Sequence, residues 1–489
     1  MGVRHAPLQE LLHDAGRGAD GAGSKGTLIP EILASSFRDP SGFVFTRDGQ
    51  LYRQVNASYR EDFDALIDSG LYRTLVERGL LVAHEDVTSP DGTPNGAYRI
   101  LRPELVPFIS YPYEWCFGQL KDAALATLEI QRVAMDHGMS LKDASAYNIQ
   151  FRDARPVLID TLSFERLREG EPWVAYRQFC QHFLAPLALM SYRDVRLGQL
   201  LRIQLDGIPL DLAAELLPAK ARARPQLMMH LFAHAKSQTR HAGDAGSGKA
   251  VRRSKGFSRQ AFTGLVSTLE SGIAKLTWTP ETAGWAGYYG EAESYSPAAA
   301  EHKREIVQEY VRRASPSSVW DLGGNVGVFA RIASEAGIPT ICLDADPACV
   351  QITYAATVAS GEKHLLPLVV DLTNPSPSIG WENRERLSLA ERGPADMALA
   401  LALVHHLAIA NNVPLDRLAD AMRALCTWLA IEFVPKSDPK VQGLLALRDD
   451  IFPEYDRQGF ERAFASRFAV ERADEIRESG RVLYLMRAA

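Results

Sequence analysis

Three aspartates follow three successive apolar runs in the C-terminal half of the chain. Asp321 lies in SSVWDLG, Asp344 ends ICLD and Asp371 lies in LVVDL. Short apolar runs that alternate with helical patterns indicate a mainly parallel sheet. Open α/β sheets bind ligands at the carboxyl ends of their strands, so we expect the three carboxylates to lie together at a binding edge.

A glycine-rich turn, DLGGNVG, begins at the first of these aspartates. Gly323, Gly324 and Gly327 allow a tight turn and a close approach of the backbone to a ligand, and Asn325 tolerates a left-handed backbone. The motif alone is also compatible with a tight turn that binds nothing. Its position before a predicted helix, GVFARIASEAG, makes it a candidate cofactor loop.

The spacing of the acids narrows the choice of ligand. Asp344 stands 23 residues after Asp321, where an acid can accept hydrogen bonds from ribose hydroxyls. Asp371, or the backbone beside it, is placed to meet an adenine edge. A carboxylate at the start of the loop repels pyrophosphate and attracts a cation. S-adenosylmethionine carries an ammonium and a sulfonium group, so these residues favour it over NAD.

Residues 281–489 resemble the class I S-adenosylmethionine-dependent methyltransferases. The resemblance rests on DLGGNVG, LDADP, VVDL and ADMALALALVHHL, and it departs at Asn325, where many members have glycine. It implies a doubly wound, mainly parallel, seven-stranded Rossmann-like sheet with an antiparallel last strand. It also implies cofactor contacts from Asp321, Gly323 and Gly327 to the methionine part, from Asp344 to the ribose and from Asp371 to the adenine.

Candidate catalytic residues follow the fourth and fifth predicted strands. His405 and His406 come after ADMALALAL, on the expected acceptor side, and each could act as a base if the methyl acceptor arrives protonated. Their alternative is simple packing beside Leu407. Glu432, near the end of the fifth strand, could reach the same cleft. The aromatic stretch WAGYYGEAESYSP (285–297) could shape a pocket or pack a helix.

The N-terminal half contains a second candidate site in LKDASAYNIQFRDARPVLIDTL (141–162). Asp143, Asn148 and Asp160 resemble the base, the metal-binding asparagine and the metal-binding aspartate of protein-kinase-like and aminoglycoside-phosphotransferase-like domains. The sequence departs from that pattern because no lysine occupies the expected early strand, where Arg53 is the nearest cation. It also shows no glycine-rich phosphate loop.

Local patterns divide the chain into four parts. We expect a flexible tail (1–27), a largely helical α+β accessory domain (28–235), a basic linker (236–262) and a methyltransferase domain (263–489). Within the accessory domain the patterns predict five features: a hairpin in 43–55, a helix over 58–81, a helix over 120–138, a hairpin in 148–162 and helices over 172–235. The last two strands of the chain are joined by RESG, and so short a connection demands antiparallel pairing.

Composition limits the classes of function. The 489 residues carry 54 basic and 60 acidic side chains and a net charge of −6, which disfavours nucleic acid as the partner. The five cysteines form no CxxC pair, so no firm metal site is predicted. The longest apolar run, MALALALV, is too short to span a membrane.

We expect a cytoplasmic methyltransferase with a small-molecule acceptor. The alternatives are a bifunctional protein with an N-terminal nucleotide-binding or phosphotransferase-like activity, or a non-catalytic binding module. The sequence does not indicate an oligomeric state.

Overall fold

A computed structural model describes residues 31–89, 97–233, 258–280, 295–446 and 448–489. They form two compact units. The N-terminal unit contains the described residues up to Thr279 together with Ser378–Arg386, and the C-terminal unit contains those of Pro280–Pro377 and Leu387–Ala489. The predicted tail, residues 236–257 of the predicted linker and most of the aromatic stretch 285–297 lie outside the described residues.

An antiparallel five-stranded sheet opens the N-terminal unit, in the order β1-β2-β3-β5-β4. Its strands are β1 Glu31–Ile32, β2 Gly42–Arg47, β3 Gln50–Asn56, β4 His84–Asp86 and β5 Ala97–Pro103. The predicted hairpin in 43–55 is confirmed, since β2 and β3 pair and their turn contains Asp48 and Gly49. Both turn residues have positive φ, 53° and 71°, as a two-residue hairpin turn with right-handed strand twist requires.

The prediction of one helix over 58–81 was wrong. The segment forms two helices, α1 Arg60–Asp68 and α2 Leu71–Glu77. Gly70 lies between them with φ of 77°, a left-handed conformation that a glycine adopts without steric cost and that ends a helix. The change of direction buries Leu71 and Leu75.

The rest of the N-terminal unit is helical around two small ladders. The long helix α3, Phe117–Asp136, ends just before Gly138 as predicted. Strands β6 Met139–Leu141 and β9 Phe164–Arg166 pair with each other, as do β7 Ile149–Arg152 and β8 Arg155–Leu158, which confirms the predicted hairpin in 148–162. The remaining helices are α4 Tyr176–Phe179, α5 Ala185–Tyr192, α6 Leu200–Ile203, α7 Leu210–Leu216, α8 Pro225–Leu227 and α9 Arg259–Ala274.

Because helix α9 belongs to the N-terminal unit, the boundary between the units lies later in the chain than predicted. The linker was expected to continue to residue 262 and the methyltransferase domain to begin at 263, but α9 belongs to the N-terminal unit. Ser258 caps the helix, and its apolar face buries Phe262 and Leu269. Glu270 pairs with Arg132 of α3 at 3.1 Å. Burial of this face against α3 outweighs the loose composition of the preceding segment.

The C-terminal unit contains a seven-stranded mixed sheet in the order β12-β11-β10-β13-β14-β16-β15. The strands are β10 Val319–Leu322, β11 Thr340–Asp344, β12 Leu365–Val369, β13 Ala395–Ala400, β14 Cys426–Phe433, β15 Phe468–Glu475 and β16 Val482–Ala488. The helices are α10 Pro297–Ala314, α11 Ala330–Glu335, α12 Pro347–Ser360, α13 Leu415–Leu425, α14 Pro439–Leu445 and α15 Arg457–Ala465.

Strand direction in this sheet fixes where a ligand can bind. The pairs from β12 through β14 are parallel, and β16 runs antiparallel to both β14 and β15. The connection from β10 leads to β11 on one side, whereas β13 lies on the other side, so the chain reverses its strand order at β10. The carboxyl end of β10 is therefore the topological switch point at which such sheets hold ligands.

No helix within the described ranges is long and apolar enough to cross a membrane.

The assignment of α9 to the N-terminal unit predicts the effect of a core substitution. Leu269→Ala should destabilise that unit by about 2–5 kcal/mol, because Leu269 is fully buried. Urea unfolding would measure the loss, and hydrogen–deuterium exchange should rise in α3. The exposed Ser267→Ala on the same helix is the control. Faster exchange in β10–β14, with α3 unchanged, would contradict the assignment.

Candidate cofactor and acceptor site

Asp321 lies at the carboxyl end of β10 and is 2% exposed. It accepts a hydrogen bond from the backbone N–H of Ala330, while Oδ2 has no hydrogen-bond partner among the described residues. Burial raises the pKa of Asp321 to about 7, an effect that Lys303 opposes and Asp344 strengthens. A buried carboxylate with a free oxygen is a poor structural element and a good receptor for a cation.

The glycine loop leaves space at this carboxylate. Gly323 has φ of 73°, and a Cβ atom on Gly324 would lie 2.8 Å from Asp321 Oδ2 and 2.6 Å from Cys342 Sγ. Any side chain there would have to displace the carboxylate. Asn325 adopts the left-handed conformation, with φ of 50°, which the sequence predicted it could tolerate. Gly327, with φ of 76°, closes the turn by donating its N–H to the carbonyl of Gly324.

Asp344 meets the same loop from the end of β11. Its Oδ2 accepts the backbone N–H of Asn325 at 2.8 Å, and its Oδ1 accepts that of Asp346 at 2.8 Å. Burial raises the pKa of this carboxyl group. The structure thus brings Asp344 and the glycine loop together, as the spacing predicted.

Asp371 lies two residues beyond the end of β12 and is exposed. Its Oδ1 accepts hydrogen bonds from the backbone N–H and the hydroxyl of Thr373, at 2.8 and 2.6 Å. The side chain therefore forms a local turn just beyond the carboxyl end of β12.

His405 and His406 follow β13 and have different surroundings. His405 is 1% exposed and neither ring nitrogen has a hydrogen-bond partner among the described residues. Burial, His406 and the charge of Arg481 lower the pKa of His405 to about 3. His406 is partly buried and its ring centroid lies 4.1 Å from that of His405. His405 is therefore a buried imidazole whose donor and acceptor positions are both unused among the described residues.

The corner that carries these histidines touches the glycine loop. Leu403 lies between β13 and His405, and its Cδ1 would be 3.1 Å from a Cβ on Gly323. The backbone N–H of His406 donates to the carbonyl of Leu403 at 3.0 Å. Leu403, two residues before His405, therefore links this corner to the glycine loop.

Glu432 does not occupy an open cleft. It is fully buried, and Lys303 and Arg481 lie 2.7 and 3.4 Å from its carboxylate oxygens. Tyr295 donates its hydroxyl hydrogen to the same group. Although burial raises it, the charges of Lys303 and Arg481 lower the pKa of Glu432 to about 2. A carboxylate so fully paired is not available to accept a proton from a substrate.

Sequence reasoning missed Lys303 and Arg481, and it singled out the aromatic stretch that contains Tyr295 without linking it to Glu432. Lys303 lies on α10 in register with the buried Ala299 and Ile306. A charged residue on the apolar stripe of an amphipathic helix is the signal that could have found it. Arg481 lies outside regular elements and carries no comparable signal.

The three N-terminal candidates also come together. Asp143 accepts the backbone N–H of Ser145 at 2.9 Å and interacts with both Asn148 and Asp160. Asp160 accepts the hydroxyl of Ser163 at 2.6 Å.

The charge of Asp160 is already compensated within the protein. Arg53 of β3 forms an ion pair with its Oδ1. This is the cation that the sequence placed nearest to the expected lysine position. Within the described ranges no group of three histidine, cysteine, aspartate or glutamate side chains is arranged to hold a metal ion.

The strand order of the C-terminal sheet, with β16 as its one antiparallel strand, is the order expected from the resemblance to the class I S-adenosylmethionine-dependent methyltransferases. Nodulation protein NoeA of Rhizobium meliloti (strain 1021) is 36% identical over 459 residues, which cover 93% of this chain and 96% of that protein. The chain therefore belongs to the NoeA family.

Other comparisons cover less of the chain. No protein-family model matches it. The bifunctional kinase-methyltransferase WbdD is 16% identical over 42% of this chain and 43% of its own, with a TM-score of 0.30. Magnesium protoporphyrin IX methyltransferase ChlM of Synechocystis PCC 6803, with bound SAH, is 15% identical over 42% and 93%, with a TM-score of 0.30. The N-methyltransferase NodS of Bradyrhizobium japonicum WM9 is 12% identical over 38% and 97%, with a TM-score of 0.28.

The unpaired carboxylate of Asp321 predicts an unusual stability effect. A carboxyl group whose pKa rises from 3.8 to about 7 on folding stabilises the fold below pH 3.8, and this contribution is lost as the pH rises through 7. Asp321→Asn should therefore raise the free energy of unfolding at pH 8 by on the order of 1–3 kcal/mol. Urea titrations at pH 5 and pH 8, without ligand, would measure it.

Asp396→Asn is the matched control, because Asp396 lies in β13 near its amino end and accepts the N–H of Ser317 at 2.8 Å. It should not stabilise the protein at either pH. A loss of stability in Asp321→Asn at pH 8 would show that the carboxylate is a structural partner rather than an open receptor.

Proposed function

We propose that this protein is an S-adenosylmethionine-dependent methyltransferase that acts on a small-molecule acceptor. The observation that carries the proposal is the buried carboxylate of Asp321, with one oxygen unpaired, at the switch point of the sheet. Leaving such an anion unpaired costs free energy, and a ligand ammonium group would recover it. A dinucleotide would bring pyrophosphate to the same oxygen and add repulsion.

The cofactor contacts follow from the geometry of the loop. Asp321 would accept the ammonium group, while Gly323, Gly324 and Gly327 would let the backbone approach the methionine part. Asp344 retains lone pairs for the ribose hydroxyls after its two backbone contacts. For the adenine edge we favour Asp371 Oδ2 or the backbone beside it, because Oδ1 is engaged with Thr373.

When bound, the cofactor supplies a methyl group made electrophilic by the adjacent sulfonium. The task of the protein is then to align the acceptor, which can contribute several kcal/mol. His405 is neutral over the physiological range and can accept or donate a hydrogen bond at the acceptor. Because its basicity is so low, it would orient a nucleophile rather than deprotonate it. On this proposal the nucleophile would arrive with a free lone pair, as a neutral amine or an already deprotonated group does.

The cysteines and the net charge support the proposed cytoplasmic location and small-molecule acceptor. All five cysteines are free thiols in buried positions, which supports a reducing, cytoplasmic environment. The net charge of −6 gives no support to a nucleic-acid acceptor. A non-catalytic binding module would also hold the cofactor, so only methyl transfer distinguishes it from the enzyme.

A nucleotide-binding role of the N-terminal unit is the second candidate. It is favoured by the convergence of Asp143, Asn148 and Asp160 in one hydrogen-bonded group. The ion pair between Arg53 and Asp160 occupies the carboxylate that magnesium would need. This arrangement favours binding of a nucleotide over transfer of its phosphate.

Binding of S-adenosylhomocysteine, measured by calorimetry, tests the first proposal. Asp344→Ala should weaken binding by about 1–3 kcal/mol, because a charged acceptor is lost. Affinity should increase with pH up to about 7 in the unmodified protein, since the ammonium group binds the ionised form of Asp321, and this rise should disappear in Asp321→Asn. Asp396→Asn is again the control, and equal affinities of folded Asp344→Ala and Asp396→Asn would contradict the site.

A thermal-shift assay with magnesium and ATP tests the second candidate. A nucleotide site predicts a rise in the melting temperature that is lost in Asp160→Ala and kept in Asp136→Ala, an exposed change at the end of α3. If magnesium and ATP cause no shift in the unmodified protein, the second candidate is excluded.

A further inference from the structure

Glu432 is the centre of a buried group of charges at the carboxyl end of β14. One carboxylate oxygen, Oε2, accepts from Lys303 Nζ at 2.7 Å and from the backbone N–H of Ala402 at 2.9 Å. The other, Oε1, accepts from Tyr295 and lies 3.4 Å from Arg481 Nη1. The segment that contains Tyr295 and Lys303, the residue Arg481 and the corner after β13 therefore meet at the Glu432 side chain.

Fold stability alone does not account for this group. Lys303, Glu432 and Arg481 are 2%, 0% and 1% exposed, and Asp438 balances the second cation at 2.7 Å. Buried ion pairs are often no more stabilising than apolar side chains of similar volume, because each charge loses its hydration. We therefore ask what the hydrogen bond from the Ala402 backbone N–H to Glu432 does for the geometry of the corner after β13.

That contact fixes a strained corner. Ala402 has φ of 50°, a left-handed conformation that costs a residue with a Cβ on the order of 1 kcal/mol or more. The next residue, Leu403, packs against Gly323 of the cofactor loop, and His405 follows two positions later. Without an acceptor for the Ala402 N–H, the corner would lose a buried hydrogen bond that compensates for its strain.

We propose that Glu432 is a positioning residue, which, held by Lys303, Arg481 and Tyr295, fixes the Ala402 corner and thereby directs His405 toward the methyl acceptor. This inference rests on the proposed function and assigns Glu432 a role other than proton transfer. It also explains why a carboxylate with no free acceptor position lies so close to the candidate acceptor site.

Two double variants of the full-length protein isolate the contact. Lys303→Met/Glu432→Gln and Lys303→Met/Glu432→Leu both remove one cation and one anion, and Arg481 keeps its ion pair with Asp438. Only the glutamine variant retains an oxygen that can accept the Ala402 N–H. Any effect of Lys303 on cofactor binding is common to both variants.

The readout is the reaction of His405 with diethyl pyrocarbonate, located by mass spectrometry. The reagent attacks exposed, neutral imidazoles, and His405 is almost fully buried. We expect modification about tenfold faster in the leucine variant than in the glutamine variant, because one buried N–H has lost its acceptor. Affinity for S-adenosylhomocysteine should be alike in the two, while kcat for methyl transfer should be lower in the leucine variant.

Equal modification of His405 in the two variants would overturn the proposal, and this result does not depend on cofactor binding. If the unmodified protein bound no S-adenosylhomocysteine, the proposed function would fail while the His405 comparison could still be made. Should the leucine variant unfold, the proposal is tested instead by hydrogen exchange at the Ala402 amide of the unmodified protein. Protection like that of β13 supports the proposal, and exchange as fast as in an exposed turn contradicts it.

Discussion

Dehydration of carboxylates at one end of the C-terminal sheet is the constraint on which the rest of this site depends. Two fully buried acids lie there, Asp321 on β10 and Glu432 on β14, and the protein treats them in opposite ways. Glu432 is surrounded by donors and has its pKa lowered, whereas Asp321 keeps an unpaired oxygen and has its pKa raised. A compensated acid belongs to the framework, and an uncompensated one is ready for a ligand.

The strand between them connects the two environments. β13 pairs with β10 on one side and with β14 on the other, and the corner after β13 contacts both the glycine loop and Glu432. His405 lies on that corner, within a short distance along the chain of each contact. The corner that carries His405 is therefore linked to the glycine loop through Leu403 and to the buried charges through Ala402.

In the N-terminal unit the candidate acid is paired with a cation of the protein itself. There the acid at the candidate metal position, Asp160, is already paired with Arg53, which occupies one of its carboxylate oxygens. The contrast with Asp321 is the physical reason for which we propose the main activity for the C-terminal unit. The two proposals can be tested separately, since their ligands and candidate residues do not overlap.

Local sequence determined the strands of the C-terminal sheet, the glycine loop and the proximity of Asp344 to it, because alternating apolar runs define a parallel sheet and parallel strands end at a common edge. It also identified the Asp48-Gly49 hairpin, whose backbone conformation depends on the two turn residues themselves. Only the tertiary structure decided that α9 joins the N-terminal unit and that Glu432 is locked by Lys303, Tyr295 and Arg481. Those outcomes depend on which surfaces and charges meet across long sequence separations. Whether a buried acid is paired or unpaired is decided by neighbours that reach it only in the folded chain.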